Sequence, residues 1–217
     1  MSSCSWPYCG EESICTVTVT FLAKPAKFSL CHSHLALHRH AEYCWSSLIN
    51  TSGFFQTHLL FGLSIDLLKD ALLSYEAGNI NSSTLMCRSA LEASLHSRIS
   101  VKNPKYNKNP DGSFYLHTFD HDYECDRLVL SDIIDIAKKL KYLTGLEDKV
   151  REVKYLGDFV AHKGERVWKE ILKASFKRGS DTTHIWLTAL EAKDALEFTV
   201  KILQKLISDF YGLTIPS

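Results

Sequence analysis

Apolar and polar residues alternate strictly through ICTVTVTF, so Cys15, Val17, Val19 and Phe21 share one face and Thr16, Thr18 and Thr20 the other. That is the two-residue period of a half-buried strand. AKPAK then supplies a turn and FSL a returning strand, after which the period lengthens. In SHLALHRHAEYCWSSLIN, Leu37, Ala41, Cys44 and Leu48 recur at helical spacing. From Phe55 to about Ala77, Leu60, Leu63, Leu67 and Ala71 mark a long amphipathic helix closed by Gly78. A second follows in INSSTLMCRSALEASLHSRIS, with Cys87, Leu91 and Leu95 on one side and Arg88 and Glu92 an i, i+4 pair beside them. Between Lys102 and Arg127 the helical period is lost around Pro104, Pro110 and Gly112, which predicts a long loop or insertion. SDIIDIAKKLKYLTG restores it, with a Ser131 or Asp132 cap, Ile133, Ile134, Ala137 and Leu140 inward, and Gly145 as the stop. A fourth helix spans Leu146 to about His162. A shorter apolar pattern at Trp168, Ile171, Leu172 and Phe176 precedes Gly179. Thr188 and Glu191 form a capping box for a last helix through Ala195, Phe198, Ile202 and Leu206. The pattern predicts an all-α protein: a bundle of about five helices over residues 55–217, preceded by a small hairpin and helix unit over residues 1–50.

Composition narrows this picture. With 217 residues and 45% hydrophobic content, the chain can bury a real core. Its 25 Lys and Arg balance 25 Asp and Glu, so any basic surface must be local and net charge does not demand a nucleic-acid partner. The opening MSSCSWPYC has neither the charged nor the apolar region of a signal peptide, so the seven cysteines read as thiols or metal ligands in a cytoplasmic protein. Tyr43 to Ile65 carries no Asp, Glu, Lys or Arg. Asn50, Thr51, Ser52, Gly53, Gln56 and His58 nevertheless break it, so no membrane span is expected.

Cys4 and Cys9 bracket SWPY, and Cys31 and His34 form a C-x-x-H pair after the predicted hairpin. Two knuckles around a hairpin make a zinc pattern, with Cys4, Cys9, Cys31 and His34 as ligands and His38 as a substitute for His34. Cys15 and Cys44 fall on apolar stripes and read as small hydrophobes. A segment this short cannot bury enough surface alone, and four-coordinate zinc would supply the missing folding free energy. The segment resembles the treble-clef and zinc-ribbon group, which implies a structural ion. A catalytic zinc would keep an open position, and no residue nearby suits its general base.

YEAGNINSSTLMCRSALEASL (Tyr75 to Leu95), REVKYLGDFVAH (Arg151 to His162) and EAKDALEFTVKILQKLISDFYG (Glu191 to Gly212) resemble three ordered motifs of a HEPN-superfamily branch, a domain often attached to restriction and defence proteins. The resemblance covers roughly Phe55 to Gly212. It implies an all-helical bundle, usually a homodimer. Active members are metal-independent endoribonucleases in toxins and antiviral defence, in which an arginine, a polar residue and a histidine meet the dimer mate in a cleft. Placed on His162, the polar residue falls on Asp158 and the arginine position on Gly157.

At about 100° per residue, Leu146, Val150, Val153, Gly157 and Val160 form the inward stripe of the fourth helix, and Arg151, Lys154, Asp158 and His162 gather on another side. That set suits RNA cleavage. His162 would take the 2′-hydroxyl proton, Asp158 would orient the imidazole, and Lys154 or Arg151 would stabilise the phosphorane. The alternative is a solvated face whose His162 answers the helix dipole, in a non-catalytic module that dimerises or docks on a larger defence complex. Arg88 and Glu92 are either an interior ion pair or a lent arginine. In the loop, Lys102, Lys105 and Lys108 lie among Tyr106, Phe114, Tyr115 and Phe119, as in RNA-stacking surfaces or a plain solvated loop. His117, His121 and Cys125, each four apart, would align as metal ligands only on a helix.

Overall fold

The computed structural model describes residues 3–5, 9–19, 26–49, 58–100, 105–108, 114–118, 128–162 and 189–212. The protein is mostly helical, with a small antiparallel hairpin near its N-terminus. Strand β1 (Cys15–Val19) pairs with β2 (Ala26–Leu30) in the register Cys15 to Leu30 and Val19 to Ala26. The alternation along β1 holds: Thr16 and Thr18 are exposed, Cys15 and Val17 half-buried, and Val19 buried. The chain before β1 lies along this hairpin, where Ser5 N–H donates to Ser29 O at 2.7 Å and Ile14 N–H to Leu30 O at 2.8 Å.

Helix α1 (His32–Ile49) leaves the hairpin directly. It is followed by α2 (His58–Glu76), α3 (Ile80–Ser100), α4 (Leu130–Lys139), α5 (Glu147–Ala161) and α6 (Ala189–Tyr211). The central helix is α3, which packs on α2, α4, α5 and α6. Its sequence explains how it can be surrounded. Small hydroxyl residues let neighbours approach, and buried Thr84 and Ser94 satisfy themselves by donating to Ile80 O at 2.9 Å and Leu91 O at 2.8 Å. One apolar core runs through the helices, from Phe61, Ile65 and Leu72 to Leu91 and Leu95, Val150 and Val153, and Leu196 and Leu203. Val19, Ala41, Cys44, Trp45 and Leu48 belong to the same core, so α1 serves both the hairpin unit and the bundle. Gln204 Nε2 fixes α1 further by donating to Ser47 O at 2.6 Å.

Three expectations need correction. The segment expected to be a long loop or insertion contains a second hairpin, β3 (Lys105–Lys108) with β4 (Phe114–Thr118), which shifts register between Lys105 and Tyr106. Its strands are only four and five residues long, too short for their period to stand out beside Pro110 and Gly112. Helix α4 stops at Lys139 rather than running to Gly145. Lys141 takes a left-handed conformation at φ 62°, and the turn that follows buries Leu143 in the core. The N-cap of α4 is Val129, without a side-chain cap, so Asp132 serves in the first turn, where it complements the dipole. Helix α5 agrees with its expected span, with Leu146 and His162 as caps. The Trp168 to Phe176 pattern and the Thr188 cap lie outside the described residues. Among the described residues, no helix is long and apolar enough to cross a membrane.

Candidate metal centre and interhelical cation site

The backbone brings four expected ligands to one point. Cys31 stands between β2 and α1, His34 follows within the first turn of α1, and Leu35 N–H donates to Cys31 O at 2.9 Å. Cys4 arrives through the N-terminal segment, held by its N–H to Glu11 O at 3.0 Å. Cys4 and Cys31 are buried, and Cys9 and His34 half-buried. One ligand atom from each of the four lies within 4.8 Å of every other. Cys31 Sγ is 3.2 Å and Cys4 Sγ 3.5 Å from His34 Nδ1, and Cys9 Sγ is 3.9 Å from Cys31 Sγ. A tetrahedral ion with bonds of about 2.3 Å to sulfur and about 2.0 Å to nitrogen separates its ligand atoms by roughly 3.5–3.8 Å. The four side chains therefore fit and could hold a metal ion.

The electrostatics of the cluster favour a cation. The Cys31 thiol is pushed up to about 11, first by its hydrogen bond to the Glu11 carboxylate. A bond from the His34 backbone opposes this, while burial and the Cys4 and Cys9 thiols add to it. His34 is held below the usual imidazole range by burial, against the nearby Glu11 charge. The Glu11 carboxylate and the neighbouring thiols disfavour a lone thiolate, so a metal ion that binds here must displace the Cys31 proton and supply the charge that stabilises the thiolate.

The other cysteines and histidines sort away from the centre. His38, the substitute ligand, is buried and hydrogen-bonded through Nδ1 to Glu76 Oε1 on α2, so it is not available to the cluster. Burial pushes the Cys44 and Cys87 thiols up to about 12, which marks them as inert core residues. Cys15 is half-buried on β1. His117 lies in strand β4, so the helical alignment imagined with His121 and Cys125 does not hold there; the latter two fall outside the described residues.

The second cluster joins α3 to α5. Asp158 receives Arg88 Nε on Oδ1 at 2.8 Å and Lys154 Nζ on Oδ2 at 2.6 Å, and Arg88 Nη1 donates to Glu92 Oε2 at 3.1 Å. Arg88 reaches Asp158 because Gly157 has no side chain. A β-carbon there would sit 2.4 Å from Arg88 Cβ and 2.5 Å from Cδ. Burial acts against the Asp158 charge, but the hydrogen bonds and charges of Lys154 and Arg88 outweigh it and hold the carboxyl below the usual carboxylate range.

Of the four site residues read from the sequence, the structure joins Lys154 to Asp158. Arg151 is exposed and turns to Asp148 at 3.6 Å. His162 is exposed at the C-cap of α5, where its backbone N–H donates to Asp158 O at 3.0 Å. Among the described residues no side-chain bond links His162 to Asp158. The helical wheel did not identify Arg88 as Asp158's partner. The available signal was a glycine on the buried stripe of α5, a mark of close approach by another element. No family model, no curated protein and no solved structure matches this chain.

Proposed function

We propose that the chain is a HEPN-type RNA-directed effector, a metal-independent endoribonuclease of toxin or phage-defence function, carried in the cytoplasm with a structural zinc unit. One observation supports this reading above the others. Where the motif on α5 offers Gly157 in place of an arginine, Arg88 crosses that glycine and sets its guanidinium on Asp158, one helical turn before His162. The missing cation is thus supplied from α3.

In this mechanism His162 accepts the proton of a ribose 2′-hydroxyl. The 2′-oxygen attacks the adjacent phosphorus, and the 5′-oxygen leaves with a proton from the histidine of a dimer mate, giving a 2′,3′-cyclic phosphate and a 5′-hydroxyl. Arg88 and Lys154 face the charge that develops on the phosphorane. Asp158 holds the two cations in place, a different role from orienting the imidazole. Three thiolates and one imidazole suit zinc, and a four-protein-ligand set leaves no open position, which assigns the ion to folding.

A second reading has its own support. The charges of Asp158 and Glu92 cancel those of Arg88 and Lys154, so the cluster also serves as an interhelical clamp in a non-catalytic HEPN module that dimerises or docks on a defence assembly. Induced expression in a bacterium separates the two. Growth arrest with fragmented total RNA for the wild type, absent in His162→Ala, supports the nuclease. Intact RNA with equal growth in both supports the module.

A further inference from the structure

The face of α1 that carries the metal ligand His34 carries His38 one turn later, and both meet the C-terminal end of α2. His34 Nε2, the ring nitrogen opposite its ligand atom, lies 3.9 Å from the position of a β-carbon on Gly78. Gly78 turns the chain from α2 into α3 at φ 74°, with Asn79 N–H donating to Ser74 O at 2.8 Å. His38 Nδ1 bonds Glu76 Oε1. Glu76 is fully buried, and its other oxygen, Oε2, has no hydrogen-bond partner among the described residues.

Breaking this pairing from either side would leave a buried partner unsatisfied, His38 Nδ1 or the Glu76 carboxylate, so the bond favours closure of α1 onto α2. The four-ligand cluster one turn away acts on the same end of α1, because a bound ion fixes His34 and with it the first turn of α1.

We propose that His38 and Glu76 form a latch that links metal binding to the α2–α3 corner of the bundle, making both residues positioning residues for the metal centre. The inference rests on the four-ligand centre and not on ribonuclease activity. Linkage is reciprocal: if the ion holds α1 against Glu76 and Gly78, then the latch raises the affinity for the ion by the same factor. Direct hydrogen-bond partners of metal ligands change metal affinity by about 10- to 100-fold when removed, and His38 and Glu76 stand one step further out, so the lower end of that range is expected. The corner leads straight into α3, the helix that bears Arg88.

The test uses the full chain and Zn2+ in competition with a chromophoric chelator, with amide exchange as a second readout. Glu76→Ala is expected to bind Zn2+ about tenfold more weakly than wild type. His38→Ala should do the same, and the double variant should be no weaker than either. Asp66→Ala, an exposed carboxylate on the same helix, should match wild type. In unsubstituted protein, stripping the metal should accelerate exchange at residues 77–83, a measurement that does not depend on any variant folding. Affinities within twofold of wild type, or exchange at the corner indifferent to metal, would overturn the latch while leaving the centre intact. If the wild type binds no Zn2+, the centre and the latch fall together.

Discussion

The side-chain stem of Arg88 occupies the space that a β-carbon on Gly157 would need, approaching that position to 2.4 Å at Cβ, 2.5 Å at Cδ and 2.8 Å at Cγ. The atoms in the way belong to the stem, close to the α3 backbone, so they cannot simply swing aside. Gly157→Ala must therefore push α3 from α5 or force Arg88 into a poor rotamer, an overpacking cost of about 1–3 kcal/mol. Thermal denaturation should show a lowered midpoint for Gly157→Ala, whereas alanine at exposed Tyr155 should leave it nearly unchanged.

The ion pairs around Asp158 have a definite pH signature. The folded carboxyl lies below its ordinary value, so its stabilising contribution is present above the unfolded aspartate value of roughly 3.9 and is lost as pH falls through the lower folded value. Wild type should lose stability over that acid window more steeply than Asp158→Asn. At neutral pH, Arg88→Ala should cost about 1–3 kcal/mol, less than a fully buried pair because Arg88 and Asp158 retain about a quarter of their exposure. Denaturant titrations of Arg88→Ala, Asp158→Ala and the double variant should show non-additive losses; strict additivity would mean that the two side chains do not act together.

Metal removal should act unevenly along the chain. Strands β1 and β2 have little core apart from Val19 and Leu30, so the segment before α1 depends on the ion, while the bundle keeps its own apolar interior. A strong chelator should open residues 3–31 to protease while most of the helical circular dichroism remains. Cys31→Ser should show the same opening without chelator. Protection that persists through chelation would show that the segment folds without metal.

How much of this was legible in the sequence depends on whether the information is local. The alternation through Cys15 to Val19 and the periods of α3, α5 and α6 report burial of one face, and they are long enough to be read directly. In α2 the helix is legible but its buried face is not: Leu63 is exposed and Leu60 and Leu67 half-buried, while Phe61, Ile65, Leu68 and Leu72 fill the core together with Ala71. The cluster of Cys4, Cys9, Cys31 and His34 was legible from paired spacings around a hairpin. The early stop of α4 was hidden because Leu140 and Leu143 continue a plausible helical spacing; the burial of Leu143 through a left-handed Lys141 is decided by tertiary packing. The contact of Arg88 with Asp158, across 70 residues of chain, has no local period at all. It follows from which helices adjoin; the sequence offers Arg88 as a lent arginine without naming its partner, and Gly157 marks the close approach. The same limit hid the pairing of His38 with Glu76, which turns a spare ligand into an interhelical contact.

His162 divides stability from function. Its side chain is exposed at the end of α5, so His162→Ala should leave the thermal midpoint unchanged. Loss of RNA cleavage with unchanged folding would mark it as catalytic. Retained cleavage would move the chemistry elsewhere.

The most direct test of the account is cleavage of a labelled RNA by purified zinc-loaded protein in the absence of added divalent metal, comparing wild type with Arg88→Ala and His162→Ala. The account predicts 2′,3′-cyclic phosphate ends from wild type and a loss of at least a hundredfold in both variants, on the scale of removing a general base or an electrostatic stabiliser. Uncleaved RNA with the wild type, or equal cleavage by all three proteins, would contradict it and leave the Arg88–Asp158 cluster as a clamp between helices.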